Sequence, residues 1–283
     1  MDLIVRAFIP PPPLITNCAS YIKANLPNLE NVMRIRNAKV IDFPYEKFRC
    51  TSEEFLVHHD LNEIENLITF KSTSNFEFNE SNGFIYEINL GKIEVGNHNT
   101  NFKRTNSKVP IKIFDIIESE LNHHDIEVID KSAKQLLIKT KRKLGNLATT
   151  SLIEETSVSS FWPEDDESKE FRKIYNHIVM AMHQYSSDES HINGIWIEEV
   201  SAGALPPKKE ISIIDILREP SLNNDWELWF KKLHEIDSLI DQKNKTFNDI
   251  YLTTTDKILL LNKPRGISKL FKKDWVKVWN QIK

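Results

Sequence analysis

The chain has 283 residues, 40% apolar and 28% charged, with a formal net charge of −4, a globular composition that excludes a disordered or fibrous chain and suffices for one large core or two modest ones. No apolar run reaches the roughly 20 residues of a membrane span, and Cys18 and Cys50 are the only two cysteines, too few for a disulfide framework, so a cytoplasmic protein without membrane contact is expected, its cysteines packed. Glycine is scarce at 7 residues, and neither G-x-x-x-x-G-K-[ST] nor G-x-G-x-x-G occurs, which removes P-loop ATPases and dinucleotide-binding dehydrogenases and leaves no cofactor to expect.

The first half reads as strand-rich. LIVRAFI (residues 3–9) and NAKVIDF (37–43) have strand character, and NFEFNESNGFIYEINLGKIEV (75–95) alternates as a meander with ESNG and LG as its turns. PIKIFDIIESELNHH (110–124) predicts a helix, and DIEVIDKSAKQLLIKTKRK (125–143) a hairpin running into a basic loop. The stretch GNLATTSLIEETSVSSF (145–161), rich in Ser and Thr, is the expected boundary between a strand-rich domain, 1–150, and a helix-rich domain, 151–283.

After that boundary come two amphipathic helices. One opens near Pro163 with acidic residues at 164–167 and carries the apolar stripe Phe171, Ile174, Tyr175, Ile178, Met182 and Tyr185. The other, NNDWELWFKKLHEIDSLI (223–240), buries Trp226, Trp229, Phe230, Leu233, Ile236 and Ile240. INGIWIEEV (192–200) is a strand between them, and DIYLTTTDKILLLNKPRG (249–266) a second hairpin with a basic exit. GISKLFKKDWVKVWNQIK (266–283) closes the chain as an amphipathic helix, with Ile267, Phe271, Trp275, Val278, Trp279 and Ile282 on one side and lysines on the other. The expected fold class is therefore α+β, ending in a β-hairpin and a basic helix.

Charge is segregated along the chain. Residues 1–150 carry 19 basic and 19 acidic side chains, residues 151–255 carry 10 and 20, and residues 256–283 carry 8 and 2. Lys263, Arg265, Lys269, Lys272, Lys273 and Lys277 form a basic terminal segment, and Lys139, Lys141, Arg142 and Lys143 a second basic patch. Such side chains supply the phosphate contacts that dominate non-specific nucleic-acid affinity. The expected function is a binding protein, a subunit of an assembly that contacts nucleic acid through the terminal segment. A protein partner or a second copy is expected, with the acidic middle as the place for it to dock.

Two further patterns carry possible chemistry. Arg172 and His177, with four residues between them, resemble the Arg-x-x-x-x-His motif of HEPN-type ribonucleases. That resemblance implies metal-independent RNA cleavage by a pair of helical protomers, with Arg172 and His177 as catalytic residues. On a regular helix the two side chains point about 140° apart, so roles as flank residues of the apolar stripe are favoured. The clusters His58–His59–Asp60 and His123–His124–Asp125 have metal-ligand chemistry, and the second, with His98 and Asp165 or Asp166, can be laid onto the His, His-Asp, Asp order of HD phosphohydrolases. Adjacent histidines point to different faces of a helix or strand, so no metal centre is expected. The alternatives to a binding subunit are thus a ribonuclease, of the Arg172/His177 or the metal-dependent kind, and a protein-recognition or inhibitor protein of the immunity type.

Overall fold

The computed structural model describes residues 1–61, 64, 72–73, 83–96, 99–185, 192–201, 210–243, 246–264 and 273–282. The fold is α+β, with helices and two mixed sheets. Among the described residues no helix is long and apolar enough to cross a membrane. The chain forms two compact units: Met1–Tyr45, Thr51–Asn66 and Pro206–Lys283 make the first, and Glu46–Cys50 with Leu67–Leu205 the second. The boundary expected at residue 150 lies inside the second unit. Strands from the last third of the chain complete the sheet begun at residue 2, a long-range pairing that composition does not record.

The first unit is built on a five-stranded sheet in the order β2 (Asn37–Asp42), β11 (Lys257–Asn262), β10 (Asp249–Thr253), β1 (Asp2–Val5), β9 (Ile211–Ile214). Strand β1 runs parallel to both β10 and β9, and all four of its residues are buried, as a central parallel strand covered on both faces requires. Around the sheet lie α1 (Pro12–Asn25), α2 (Pro27–Ile35), α4 (Ser52–His58), α8 (Arg218–Leu222), α9 (Trp226–Lys243) and α10 (Trp275–Trp279). Helices α1 and α2 begin on prolines, which lack an N–H that the first turn could not satisfy. Thr51 and Glu54 form a capping box at the start of α4.

Ile22, Leu29, Trp229, Leu233, Trp275 and Trp279 pack with Leu3, Val5, Leu252 and Leu261 in one core. The apolar face expected of the terminal helix is therefore buried at Trp275, Trp279 and Ile282, whereas Ile267 and Phe271 lie outside the described residues. A buried guanidinium, Arg36, closes this unit: it donates to the carbonyls of Phe247 (2.9 Å), Asn248 (2.7 Å) and Leu261 (3.2 Å).

The chain enters the second unit through one turn of helix, α3 (Tyr45–Phe48). Its sheet runs β3 (Ser72–Thr73), β8 (Gly194–Ser201), β4 (Phe84–Val95), β7 (Gln135–Thr140), β6 (Glu127–Lys131), with β5 (Thr100–Arg104) paired to the far end of β4. Helices α5 (Ile111–His123), α6 (Thr150–Glu155) and α7 (Lys169–Tyr185) complete it. Phe171, Ile174, Tyr175, Ile178 and Met182 are buried, as the stripe on α7 predicts. The indole of Trp196 lies edge-on to Phe171 at 5.7 Å and donates to the Ala148 carbonyl at 2.8 Å.

Three local expectations are corrected here. Leu90–Gly91 is not a turn: β4 continues through Gly91, where a Cβ would stand 2.2 Å from the Lys103 carbonyl oxygen, so the glycine serves close approach of β5 rather than a change of direction. The Ser/Thr-rich stretch, expected as a domain boundary, lies inside the second unit and holds α6 with Thr150, Ser151, Leu152 and Ile153 buried. Its hydroxyls and amides solvate an interior carboxylate: Glu198 accepts from the Thr150 amide (2.9 Å), the Thr150 hydroxyl (3.0 Å) and the Asn89 amide (2.9 Å). Lastly, α7 begins at Lys169 rather than near Pro163, after a single 3₁₀ turn, Asp166–Ser168, capped by Asp165.

Candidate functional site

Helix α5 ends at His123, with His124 as its C-cap and Asp125 in the left-handed region at φ 55°, a conformation that Asp tolerates better than most residues. That reversal sends the chain into β6, and the hairpin returns along β7 to leave the sheet at Thr140. The basic exit loop is pinned at both ends: the Thr140 hydroxyl donates to the Arg142 carbonyl at 2.6 Å, and the Leu144 amide donates to the Tyr86 hydroxyl at 2.8 Å. Lys141, Arg142 and Lys143 therefore project into solvent from an ordered backbone, and all three are exposed.

Helix α7 packs on α5. Glu170, Lys173, Ile174 and His177, at spacings of three and four, share one of its faces. Together these elements line a cleft of about 350 Å³ whose walls include His123, His124, Asp125, Lys141, Arg142, Glu170 and Lys173. Its volume falls at the low end of small-ligand sites and matches a nucleotide-sized group. Lys141, Arg142 and Lys173 bring three basic side chains to it.

Two of its lining residues, Glu170 and His124, continue into a chain of three side chains that ends at His177. The His124 imidazole is only 3% exposed, and both its nitrogens are occupied: Nδ1 lies 3.2 Å from Glu170 Oε1 and Nε2 lies 3.1 Å from His177 Nδ1. An ionised carboxylate can only accept, so Glu170 fixes the proton of His124 on Nδ1. A neutral His124 then presents a bare Nε2, which accepts from the Nδ1–H of His177, and the outer Nε2 of His177 is left bare toward solvent.

Of the residues singled out from the sequence, His177 and His124 come together, and with them Lys141 and Arg142 from the second basic patch. Lys143 is exposed beside them and Lys139 is half-buried on β7. Arg172 is engaged elsewhere: its Nη1 donates to the carbonyls of Pro163 (2.8 Å) and Asp165 (2.7 Å) and ties the entry turn to the start of α7. Within the chain, Arg172 and His177 thus have separate partners.

Lys263 and Lys277 are exposed, but the ammonium of Lys273 is shielded from solvent without a hydrogen-bond partner among the described residues, and its amide donates to the Arg34 carbonyl at 2.8 Å. The expected row of terminal amines is therefore interrupted at Lys273. Arg265, Lys269, Lys272 and His98 lie outside the described residues. His58, His59 and Asp60 are half-buried at the end of α4, with His59 against the Phe55 ring. Among the described residues no three His, Cys, Asp or Glu side chains are grouped to hold a metal ion. Both cysteines are buried and neither is in a disulfide, and burial pushes the Cys18 thiol up.

Glu170 is the residue that the sequence reading missed, since an acidic residue in the first turn of a helix already has a role with the dipole. Its position seven residues before His177 on one face is the only trace in the sequence. A second cleft, of about 310 Å³, opens in the first unit at the carboxyl ends of β1 and β10, where Pro10–Pro12, Trp226, Thr254 and Asp256 line it, the usual edge for ligands in parallel sheets. Its one lysine, Lys257, is paired with Asp42 at 2.8 Å, so it lacks the convergent charge of the first.

No family model matches the chain, and no curated protein matches it. Among solved structures, the cofactor-independent phosphoglycerate mutase of Thermoplasma acidophilum DSM 1728 aligns over 99% of this chain and 98% of that chain, at 10% identity and a TM-score of 0.37, a level of likeness on which neither fold nor function is argued.

Proposed function

We propose that the protein binds single-stranded nucleic acid, with the cleft of the second unit holding the phosphate and sugar of a nucleotide. The observation that carries this reading is the convergence of Lys141, Arg142 and Lys173 on one nucleotide-sized cleft. A loop of consecutive basic residues on a pinned backbone, facing a helix that adds a third cation, is the arrangement that neutralises a phosphate backbone. A duplex does not enter a space of this size, whereas one splayed nucleotide does. Lys263 and Lys277, exposed in the first unit, offer further phosphate contacts.

The test is fluorescence anisotropy with labelled single-stranded RNA, single-stranded DNA and duplex, over a range of salt. The expected result is binding of single strands that weakens with salt, and a K141A/R142A variant whose log–log salt slope is shallower by about 1.4, two phosphate contacts at roughly 0.7 each. Binding that is unchanged in that variant, or absent in the wild type, overturns the reading and leaves a protein partner on the acidic 151–255 segment as the alternative.

A further inference from the structure

Two of the side chains that line the cleft, His124 and Glu170, belong to a hydrogen-bonded chain whose outer member, His177, does not line it. Imidazole is the side chain that ordinarily changes charge between about pH 5 and 8, and His124 stands where such a change meets bound phosphate. The other charged or titratable groups around it are His123 at the end of α5, Asp125 in the turn that follows, Lys141 and Arg142 from the loop after β7, and Lys173 on α7. With the histidines neutral, three basic side chains of the lining stand against two acidic ones, Asp125 and Glu170.

We infer that the Glu170–His124–His177 chain regulates the cleft, taking up one proton and tightening the grip on phosphate as pH falls. The inference rests on the nucleic-acid reading of the cleft and adds its regulation. The 3.1 Å contact between His124 Nε2 and His177 Nδ1 has room for a single hydrogen, so the pair gains one proton intact but cannot hold a second. The proton enters at Nε2 of His177, the exposed ring. The hydrogen on His177 Nδ1 then crosses to His124 Nε2, and the positive charge settles on the ring whose Nδ1 lies 3.2 Å from the Glu170 carboxylate. As an imidazolium, His124 donates from both nitrogens, to Glu170 and to the bared Nδ1 of His177. Every hydrogen bond of the chain survives, with donor and acceptor exchanged in one of them.

What changes is the field inside the cleft. Charge on His124 offsets that of Glu170, and the excess of basic over acidic groups in the lining rises from one to two. Glu170 repels phosphate oxygens at neutral pH and ceases to do so once its neighbour is cationic. The coupling is reciprocal: bound phosphate holds the proton on His124, so binding is accompanied by proton uptake.

The experiment is fluorescence anisotropy on the full chain with labelled oligodeoxythymidylate, whose own charge is constant over the range used, at fixed ionic strength and at about pH 8 and about pH 6. Expected is an affinity about 5-fold higher at the lower pH, a difference that survives in H123Q. H124Q has no titratable ring beside Glu170 and is expected to bind at both pH values as weakly as the wild type does at the higher one. E170Q removes both the repelling charge and the carboxylate that keeps His124 protonated, and is expected to bind at both as tightly as the wild type does at the lower one. One variant level at weak binding and the other level at tight binding is a pattern that misfolding cannot produce, since misfolding weakens both.

Wild-type affinity that stays constant or falls on acidification overturns the inference while leaving the nucleic-acid reading standing. So does a pH dependence that persists in H124Q or, should that variant not fold, one as large in E170Q as in the wild type. Absence of binding at both pH values overturns both readings.

Discussion

The Nε2 of His124 and the Nδ1 of His177 face each other at 3.1 Å across α5 and α7, and the first ring is buried while the second is exposed. The two histidines therefore differ in what they do for stability. Truncating His124 opens a gap between the helices and leaves Glu170 without its donor, so H124A is expected to cost about 2 kcal/mol. H177A, at the surface, is expected to stay within about 0.5 kcal/mol of the wild type. Urea unfolding of both variants checks this, and equal losses would show that the pair is a packing contact rather than a buried relay with an exposed end.

Arg172 separates two accounts of α7. Its guanidinium donates to the Pro163 and Asp165 carbonyls, so R172A is expected to lose about 1 kcal/mol of stability. Nucleic-acid affinity is expected to be unchanged, since none of the cleft's cations is removed. Paired urea and anisotropy titrations read both quantities; an R172A protein of normal stability that no longer binds or cleaves would restore the Arg-His pairing implied by the ribonuclease resemblance.

Glu87 predicts a pH dependence. Burial raises the pKa of its carboxyl above the ordinary value, against the lowering effects of the Asn89 amide and the Arg104 guanidinium. The folded state thus holds this proton to higher pH than the unfolded chain does. By linkage, the contribution of Glu87 to stability is full below the unfolded carboxylate pKa and is lost as pH rises through the folded one. E87Q, which stays neutral, is expected to remove that decline, so wild type and variant converge in acid and the variant is the more stable at neutral pH. Denaturation midpoints of both proteins across that range test the sign.

Arg36 closes the first unit by donating to three backbone carbonyls. The planar fork of a guanidinium reaches all three, whereas a lysine ammonium is a point donor. R36K and R36A are both expected to destabilise this unit by about 3 kcal/mol, with lysine rescuing little. Rescue of thermal stability by lysine would mean that charge, rather than the geometry of the fork, is what the carbonyls require.

Much of the local structure was legible in the sequence because it is written in periodicity. The apolar spacing on α5, α7 and α9, and the hairpins ending at Thr140 and Asn262, depend on neighbours in the chain and read directly. Gly91 misled because a glycine in a strand signals a turn and a close approach with the same letter, and only the position of Lys103 tells them apart. The Thr and Ser of α6 misled in the same way. Hydroxyls read as a boundary between domains unless a buried carboxylate, here Glu198 from a strand some 50 residues later, is known to need them.

The candidate site was legible in its parts. His177, the His123–His124–Asp125 cluster and the Lys141–Arg142–Lys143 loop each stand out in the sequence, but for three unrelated purposes. Packing turns Arg172 away from His177 to hold the entry of its own helix, puts His124 and Glu170 in its place, and carries the cations of the hairpin loop to the same cleft. The α+β class, the amphipathic faces and the charge segregation needed no coordinates, since each follows from residue type and spacing along one chain. Which side chains meet across 46 or 53 residues is set by how helices and sheet pack to bury those faces, and no local pattern encodes it.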